Sequence, residues 1–250
     1  MRRGADRGLA ALPMYDRPEL RAETDALWAR LREAIRDAGL DAPEALERGR
    51  PLRPLWAAPE LVLAQTCGLP YVSALAGRVG LLGAPDHALE GCPPGYYRSA
   101  LIVPEGSPAG TLADLRGARA AINARDSQSG YGALMHAAAP EARDGAFFGP
   151  AVLTGSHAAS VEAIAAGRAD IAAIDAVSWA LARRLDAAAA RVRVLGWTEP
   201  TPALPYITGL RRQVGPLARA VSQAVASLDA GLGDALLRRG LVPHAPPDYE

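Results

Sequence analysis

An α/β fold is predicted by three features of this chain. Short apolar runs alternate with stretches of helical periodicity, the pattern of parallel strands covered by helices. Glycine or proline marks most of the junctions, with 25 Gly and 21 Pro in 250 residues. The block Ala118–Leu195 reads as a complete α/β unit by itself. Two lobes follow from the third feature. The first comprises residues 1–103 plus 198–250 and the second residues 104–197.

The elements follow in order. Leu9–Tyr15 reads as a buried first strand, and Pro18 opens a helix, a position that suits proline because the missing N–H would be unpaired there anyway. Leu20, Leu27, Leu31 and Ile35 form the apolar stripe of that helix, and Gly39 ends it. Arg48–Arg53 is a solvated loop leading to Leu55 and Trp56, and a second helix is expected over Glu60–Thr66. Val79–Leu82 and Tyr96–Val103 read as strands. Thr111–Gly117 is a short capped helix, Ala118–Asn123 a strand, and an alanine-rich helix runs to Ala139 before Pro140. Val192–Leu195 and Tyr206–Thr208 are further strands, with a proline-rich crossing segment, Trp197–Leu204, between them. Val214–Leu228 and Leu232–Arg239 close the chain as helices, and the proline-bearing tail His244–Glu250 is expected to be loosely attached.

The most informative stretch is Thr154–Asp175, TGSHAASVEAIAAGRADIAAID, which follows an apolar run from Phe147 to Leu153. Ser156 stands at a helix N-cap, Val161, Ile164 and Ala165 recur at helical spacing, and Gly167 suits the C-terminal cap. Ile171–Ile174 is the next strand, and Asp175 stands at its carboxyl end. Strand carboxyl ends are where open α/β sheets bind ligands. The segment Asn123–Tyr131 has the same design. Ser127 and Ser129 bracket a helix start, and Gly130 lets the backbone approach a ligand closely. Backbone N–H groups and the helix dipole favour an anion there, although serine is a preferred cap in any case. His157 is either an oxyanion donor or a structural histidine, and Asp175 either holds a cationic group or caps the following helix. Tyr15, Gln65, Thr66, Tyr96 and Tyr97 are the candidates in the first lobe.

Composition sets the exclusions. The formal net charge is +0, so no global field favours nucleic acid or a membrane surface. Lysine is absent, and all 27 basic residues are arginine. No apolar run is long enough for a transmembrane helix, and Met1–Asp16 lacks the apolar core of a signal peptide. The chain as it stands is therefore expected in the cytoplasm, or at the cell surface or periplasm if a leader lies upstream. Cys67 and Cys92 are read as free thiols. No P-loop, dinucleotide glycine fingerprint, zinc-protease helix or nucleophile-elbow motif is present, and no histidine or cysteine cluster has metal-ligand spacing. No cofactor or metal is expected.

Several of these motifs occur together, in order: Tyr97–Val103, Ser107-Pro108, Leu112–Gly117, Ser127-x-Ser-Gly-Tyr131, Gly155-Ser-His157 and Ala166–Asp175. The series resembles the phosphate, phosphite and phosphonate-binding proteins of ABC importers, most closely over residues 97–208. The resemblance implies a type II periplasmic-binding-protein fold, with two α/β lobes and a ligand cleft between them. It implies an oxyanion site of serine hydroxyls and helix N-termini. Ser127 and Ser129 match two members of the family's Ser-Thr-Ser run, with Gln128 in place of the threonine; His157 matches its cleft histidine. Asp175 matches an acidic residue associated with amine-bearing ligands, and Tyr15 matches a ligand-contacting tyrosine of the first lobe. The implied protein is a monomeric, non-enzymatic solute-binding protein that captures a small anion for an ABC permease. Two other readings share the fold: an enzyme similar to the menaquinone-pathway dehydratases or thiamine-pyrimidine synthases, and a cytoplasmic ligand sensor. The lack of an acid–base partner near His157 in sequence weighs against the enzyme.

Overall fold

A computed structural model describes residues 8–143 and 145–250. The first seven residues of the stretch weighed above as a leader lie outside them. The chain divides into two compact units. Unit 1 is Met1–Tyr96 with Pro202–Glu250, and unit 2 is Tyr97–Thr201.

Unit 1 begins with β1 (Leu9–Ala11), shorter than the run to Tyr15 suggested. A single 3-10 turn at Pro18–Leu20 leads into α1 (Arg21–Asp37), whose buried face is Leu27, Trp28, Leu31 and Ile35. After α2 (Leu52–Trp56) comes β2 (Leu61–Gln65), where a helix was expected. The five residues are buried on both faces. A strand covered on both sides reads as a continuous apolar run, which periodicity cannot separate from a buried helix. A short turn, α3 (Gly68–Pro70), continues through Tyr71–Leu75 to β3 (Val79–Asp86).

The chain passes into unit 2 through β4 (Tyr96–Tyr97) and β5 (Ser99–Pro104). The single run expected over Tyr96–Val103 is thus two strands. β5 pairs with β8 (Ile171–Asp175) and β9 (Val192–Trp197), which places it inside the second sheet and moves the expected boundary at residue 103 back to Tyr96. A capped 3-10 turn at Leu112–Leu115 and β6 (Ala120–Ile122) follow. A π-turn at Gln128–Gly132 then runs into α4 (Ala133–Ala138). Only Ala151–Leu153 of the apolar run from Phe147 is strand, β7. α5 (His157–Ala165) and α6 (Ala176–Leu185) flank β8 in sequence.

β10 (Thr201–Pro202) pairs with β4 as a two-stranded ribbon, and the chain re-enters unit 1 through β11 (Tyr206–Gly209). α7 (Val214–Ala226), α8 (Ala230–Ala235) and β12 (Gly240–Val242) complete it. The tail is packed rather than loose. The Tyr249 hydroxyl donates to the Ala203 carbonyl at 2.8 Å, and its ring meets those of Tyr71 at 5.1 Å and His244 at 5.6 Å between centroids. One aromatic anchor outweighs the polar, proline-bearing composition of the tail.

Each unit holds a five-stranded sheet, β1-β2-β11-β3-β12 in unit 1 and β7-β6-β8-β5-β9 in unit 2. Both are mixed rather than parallel. β11 is antiparallel to β2 and β3, and β5 is antiparallel to β8 and β9, because the strands next to the crossings run against their neighbours. In unit 2 successive residues point to opposite faces. Ala100, Ile102, Ala121, Ala172 and Ile174 pack with Val161, Ile164 and Trp179 of α5 and α6. Leu101, Val103, Ala120, Ile171 and Ala173 pack with Leu134 of α4. Helices thus cover both faces of the sheet. Among the described residues, no helix is long and apolar enough to cross a membrane, and Cys67 and Cys92 form no disulfide.

The tail contacts give a stability prediction. Tyr249→Ala should destabilise unit 1 by about 1–3 kcal/mol, as expected for deleting a half-buried aromatic. Tyr249→Phe should cost about 1 kcal/mol, the value of one hydrogen bond. Urea denaturation reads both; a parental midpoint in Tyr249→Ala would mean that the tail contributes nothing.

Candidate functional site

In unit 2, β6, β7 and β8 are parallel, so their carboxyl ends share one edge. The residues just beyond them are Asn123, the Thr154–His157 loop and Asp175. β5 runs the other way, and Ser99 at its start is in register with Asp175. Four chain segments therefore deliver polar side chains to one place.

Local structure fixes each of them. Ser127 caps the turn into α4, its Oγ accepting from Gly130 N–H at 3.0 Å. Ser156 caps α5, accepting from Ala159 N–H at 3.1 Å. Asp175 caps α6: Oδ1 accepts from Ser178 N–H at 2.8 Å and Oδ2 from the Ser178 hydroxyl at 2.6 Å. Thr154 and Ser160 hydroxyls meet at 2.7 Å, and Ser160 donates to the Ser156 carbonyl at 3.1 Å, tying the β7–α5 loop down. Gly130 is required by close approach. A Cβ there would lie 1.9 Å from Asn123 Oδ1 and 3.2 Å from His157 Cε1. The Gln128 side chain folds back along its own turn, with Oε1 3.0 Å from where a Cβ on Gly132 would be.

At the centre, His157 Nε2 lies 3.0 Å from Ser129 Oγ and 3.2 Å from Asp175 Oδ2. Ser129 and Asp175 are buried. The Ser129 carbonyl accepts from Ser99 Oγ at 3.0 Å, so β5 holds the serine in place from below. A carboxylate only accepts hydrogen bonds, so the proton of a neutral His157 sits on Nε2 and is shared by Asp175 and Ser129. Ser129 then keeps its own hydroxyl hydrogen for another acceptor. Nδ1 is left as a lone pair, buried and without a hydrogen-bond partner, as is Asn123 Oδ1. Burial holds the His157 pKa below the usual imidazole value, and the Asp175 carboxylate opposes this only in part.

These three side chains have the composition of a catalytic triad without its wiring. In a triad the carboxylate holds one ring nitrogen and the serine the other, so that the ring can take the serine proton. Here both partners face Nε2. The proton held toward Asp175 blocks the nitrogen that would have to deprotonate Ser129. What the arrangement can do is donate: from the Ser129 hydroxyl, and from Nδ1 once the ring is protonated. Among the described residues, no group of three or more His, Cys, Asp or Glu is placed to hold a metal ion.

Of the residues singled out from the sequence, the fold brings Ser129, His157 and Asp175 into contact and places Ser127 and Ser156 at the caps beside them. Asp175 has both oxygens engaged, Oδ1 by Ser178 and Oδ2 by Ser178 and His157. Tyr15 belongs to unit 1, where its ring lies edge-on to His87 at 5.6 Å. Ser99, Asn123 and Ser178 were missed. Ser99 is hidden in an apolar strand, Ser178 reads as an ordinary helix residue, and only Asn123, directly after a strand, carried a usable signal.

Comparisons with known proteins give the family and the fold. A family model described as ABC transporter, phosphonate, periplasmic substrate-binding protein matches residues 9–242. No curated protein matches. Among solved structures, PhnD1 from Prochlorococcus marinus in complex with methylphosphonate is similar at TM-score 0.75 and 12% identity, covering 98% of this chain and 95% of that one. XAC2383 from Xanthomonas citri bound to chloride ion is similar at TM-score 0.71 and 18% identity, covering 96% and 92%. A binding-protein component of an ABC phosphonate transporter from Pseudomonas aeruginosa is similar at TM-score 0.64 and 14% identity, covering 94% and 81%. At these identities the likeness shows the fold: two-lobed, type II periplasmic-binding-protein architecture.

The lowered pKa of His157 makes stability depend on pH. An unfolded imidazole, with its ordinary value of 6.5, binds a proton more tightly than the folded one. The stabilising contribution is thus intact above that pH and is lost as pH falls below it, by up to about 1.4 kcal/mol per pH unit. His157→Gln should flatten the fall below about pH 6.5 in urea denaturation at fixed ionic strength. An unchanged slope would show that His157 protonates freely in the folded state.

Proposed function

The chain belongs to the phosphonate family of periplasmic substrate-binding proteins of ABC transporters, and from that premise we propose that it captures a small phosphonate-like oxyanion through Ser127, Ser129, Ser156 and His157 and releases it unchanged. The observation that carries the site assignment is the Ser129–His157–Asp175 contact set at the strand-end edge, with its buried, unpartnered Nδ1.

The mechanism follows from the proton count. The oxyanion accepts from the Ser129 hydroxyl and from N–H groups at the start of α5, where the helix dipole favours negative charge. It also draws a proton onto His157 Nδ1. The resulting imidazolium is held by Asp175 on Nε2 and by the anion on Nδ1, so two negative groups offset the cost of a buried cation. Asp175 is a positioning residue that sets the ring's tautomer. Gln128 stands beside the capping serines and adjusts the fit of the ligand head group.

Several features support binding without turnover. Both His157 partners lie on one nitrogen, so no base is available to activate Ser129. Family membership implies a small ligand and a permease partner, and the family is periplasmic. We assign the chain to that compartment, as a monomer that hands its ligand to an ABC permease.

Calorimetric titration with methylphosphonate, phosphite and phosphate tests the assignment. Ser129→Ala and His157→Ala should each weaken binding by roughly tenfold to a hundredfold, the cost of one hydrogen bond to a charged group. His136→Ala should bind like the parent. Repeating the titration in buffers of different ionisation enthalpy should show that His157→Ala takes up about one proton fewer on binding. Parental affinity in both variants would place the site elsewhere, and chemical conversion of any of these compounds, seen by mass spectrometry, would refute the non-enzymatic reading.

A further inference from the structure

Unit 1 contains a buried cation that its own fold does not neutralise. Arg238 follows α8, is 4% exposed, and donates through Nη2 to Gln65 Oε1 at 2.9 Å. Its Nε and Nη1 have no hydrogen-bond partner. Among the described residues, no carboxylate pairs with it. A guanidinium is a strong base that keeps its charge, and a buried charge without a counter-charge is unfavourable even after relaxation.

The surroundings are built to hold this group in place. Gln65 is fully buried, and its amide donates to the Leu204 carbonyl at 3.0 Å, which turns Oε1 toward the arginine. The guanidinium carbon lies 5.5 Å from the Tyr15 ring centroid and 5.6 Å from that of Tyr206, within the range of cation–π attraction. The Tyr206 hydroxyl is buried without a partner. The arginine backbone is also set at some cost: Leu237 just before it has φ of 52°, the left-handed region that a leucine rarely adopts. The nearby His87 adds no charge. Its Nδ1 meets the Leu237 carbonyl at 2.6 Å and must donate to it, and burial together with the Arg238 charge pushes its pKa down to about 3.

We propose that Arg238, with the Tyr206 hydroxyl beside it and the Tyr15 and Tyr206 rings around it, forms an oxyanion-binding site within unit 1, distinct from the Ser129–His157 site of unit 2. The ligand chemistry is a group with full negative charge on acceptor oxygens, such as a carboxylate or a phosphonate. It supplies the counter-charge and takes the N–H donors that the protein leaves unpaired. Aromatic flanks with one charged donor set favour a small anion over an extended polyanion. The inference stands on unit 1 alone and holds whether or not unit 2 binds a phosphonate.

The test reads Arg238 itself. Its buried Nε–H signal, assigned by its loss in Arg238→Met, is followed by nitrogen-edited NMR during titration with acetate, phosphate and methylphosphonate against chloride at constant ionic strength. At least one probe should shift the signal saturably and raise the melting temperature of the parent. Arg238→Met should lose that rise while melting, without ligand, at or above the parent, because an unpaired buried charge has been removed. The same shift should be seen in Ser129→Ala, which separates it from binding at unit 2. The proposal is overturned if no probe moves the signal, or if Arg238→Met keeps the full anion-induced rise. If that variant does not fold, the titration of the parent decides.

Discussion

The functional edge of unit 2 depends on one shared proton, the hydrogen on His157 Nε2. Asp175 can only accept, so it fixes that hydrogen in place; Ser129 shares it and is thereby left able to donate. The same constraint leaves Nδ1 as the ring's reactive atom. Separating these three groups would take away the reason for the Asp175 cap, the Ser99 support and the Gly130 close approach at once. In the proposed function the site moves charge onto an imidazole when an anion arrives, and the placement of both partners at Nε2 sets it apart from a serine–histidine nucleophile pair.

Sheet topology brings those groups together. Three parallel strands end at one edge, and an antiparallel β5 begins there, so residues from four segments distant in sequence become neighbours. Helices pack on both faces of the sheet. Unit 1 places its polar groups by a related logic. Gln65 lies at the end of β2 and Tyr206 at the start of the antiparallel β11, paired in register. Arg238, from the far end of the chain, meets Gln65 173 residues away in sequence. The two units differ in charge: the unit 2 set joins hydroxyls to a buried imidazole whose pKa burial lowers, whereas unit 1 holds a buried guanidinium.

Much of the fold was legible because it rests on local rules. Ser156, Val161, Ile164 and Gly167 predict α5 from cap, stripe and terminator, and Leu27, Leu31 and Ile35 do the same for α1. β2 was not legible, because Leu61–Gln65 is buried on both faces and carries no alternation. The tail was misread for a different reason. Its proline-bearing composition suggests freedom, while Tyr249 finds a carbonyl and two rings that no local pattern announces.

The sequence by itself determined the α/β class, the two helix starts bearing serines, the positions of His157 and Asp175 at strand ends, and the family resemblance, since all of these are written in short-range spacing. Only the tertiary structure decided that Asp175 is a cap bonded to Ser178 and His157, that Ser99 supports Ser129, that the sheets are mixed, and that Arg238 is buried without a carboxylate. Those facts depend on which strands lie side by side and which way they run. Pairing of that kind is fixed by burial summed over the whole chain, so no single stretch of it carries the information.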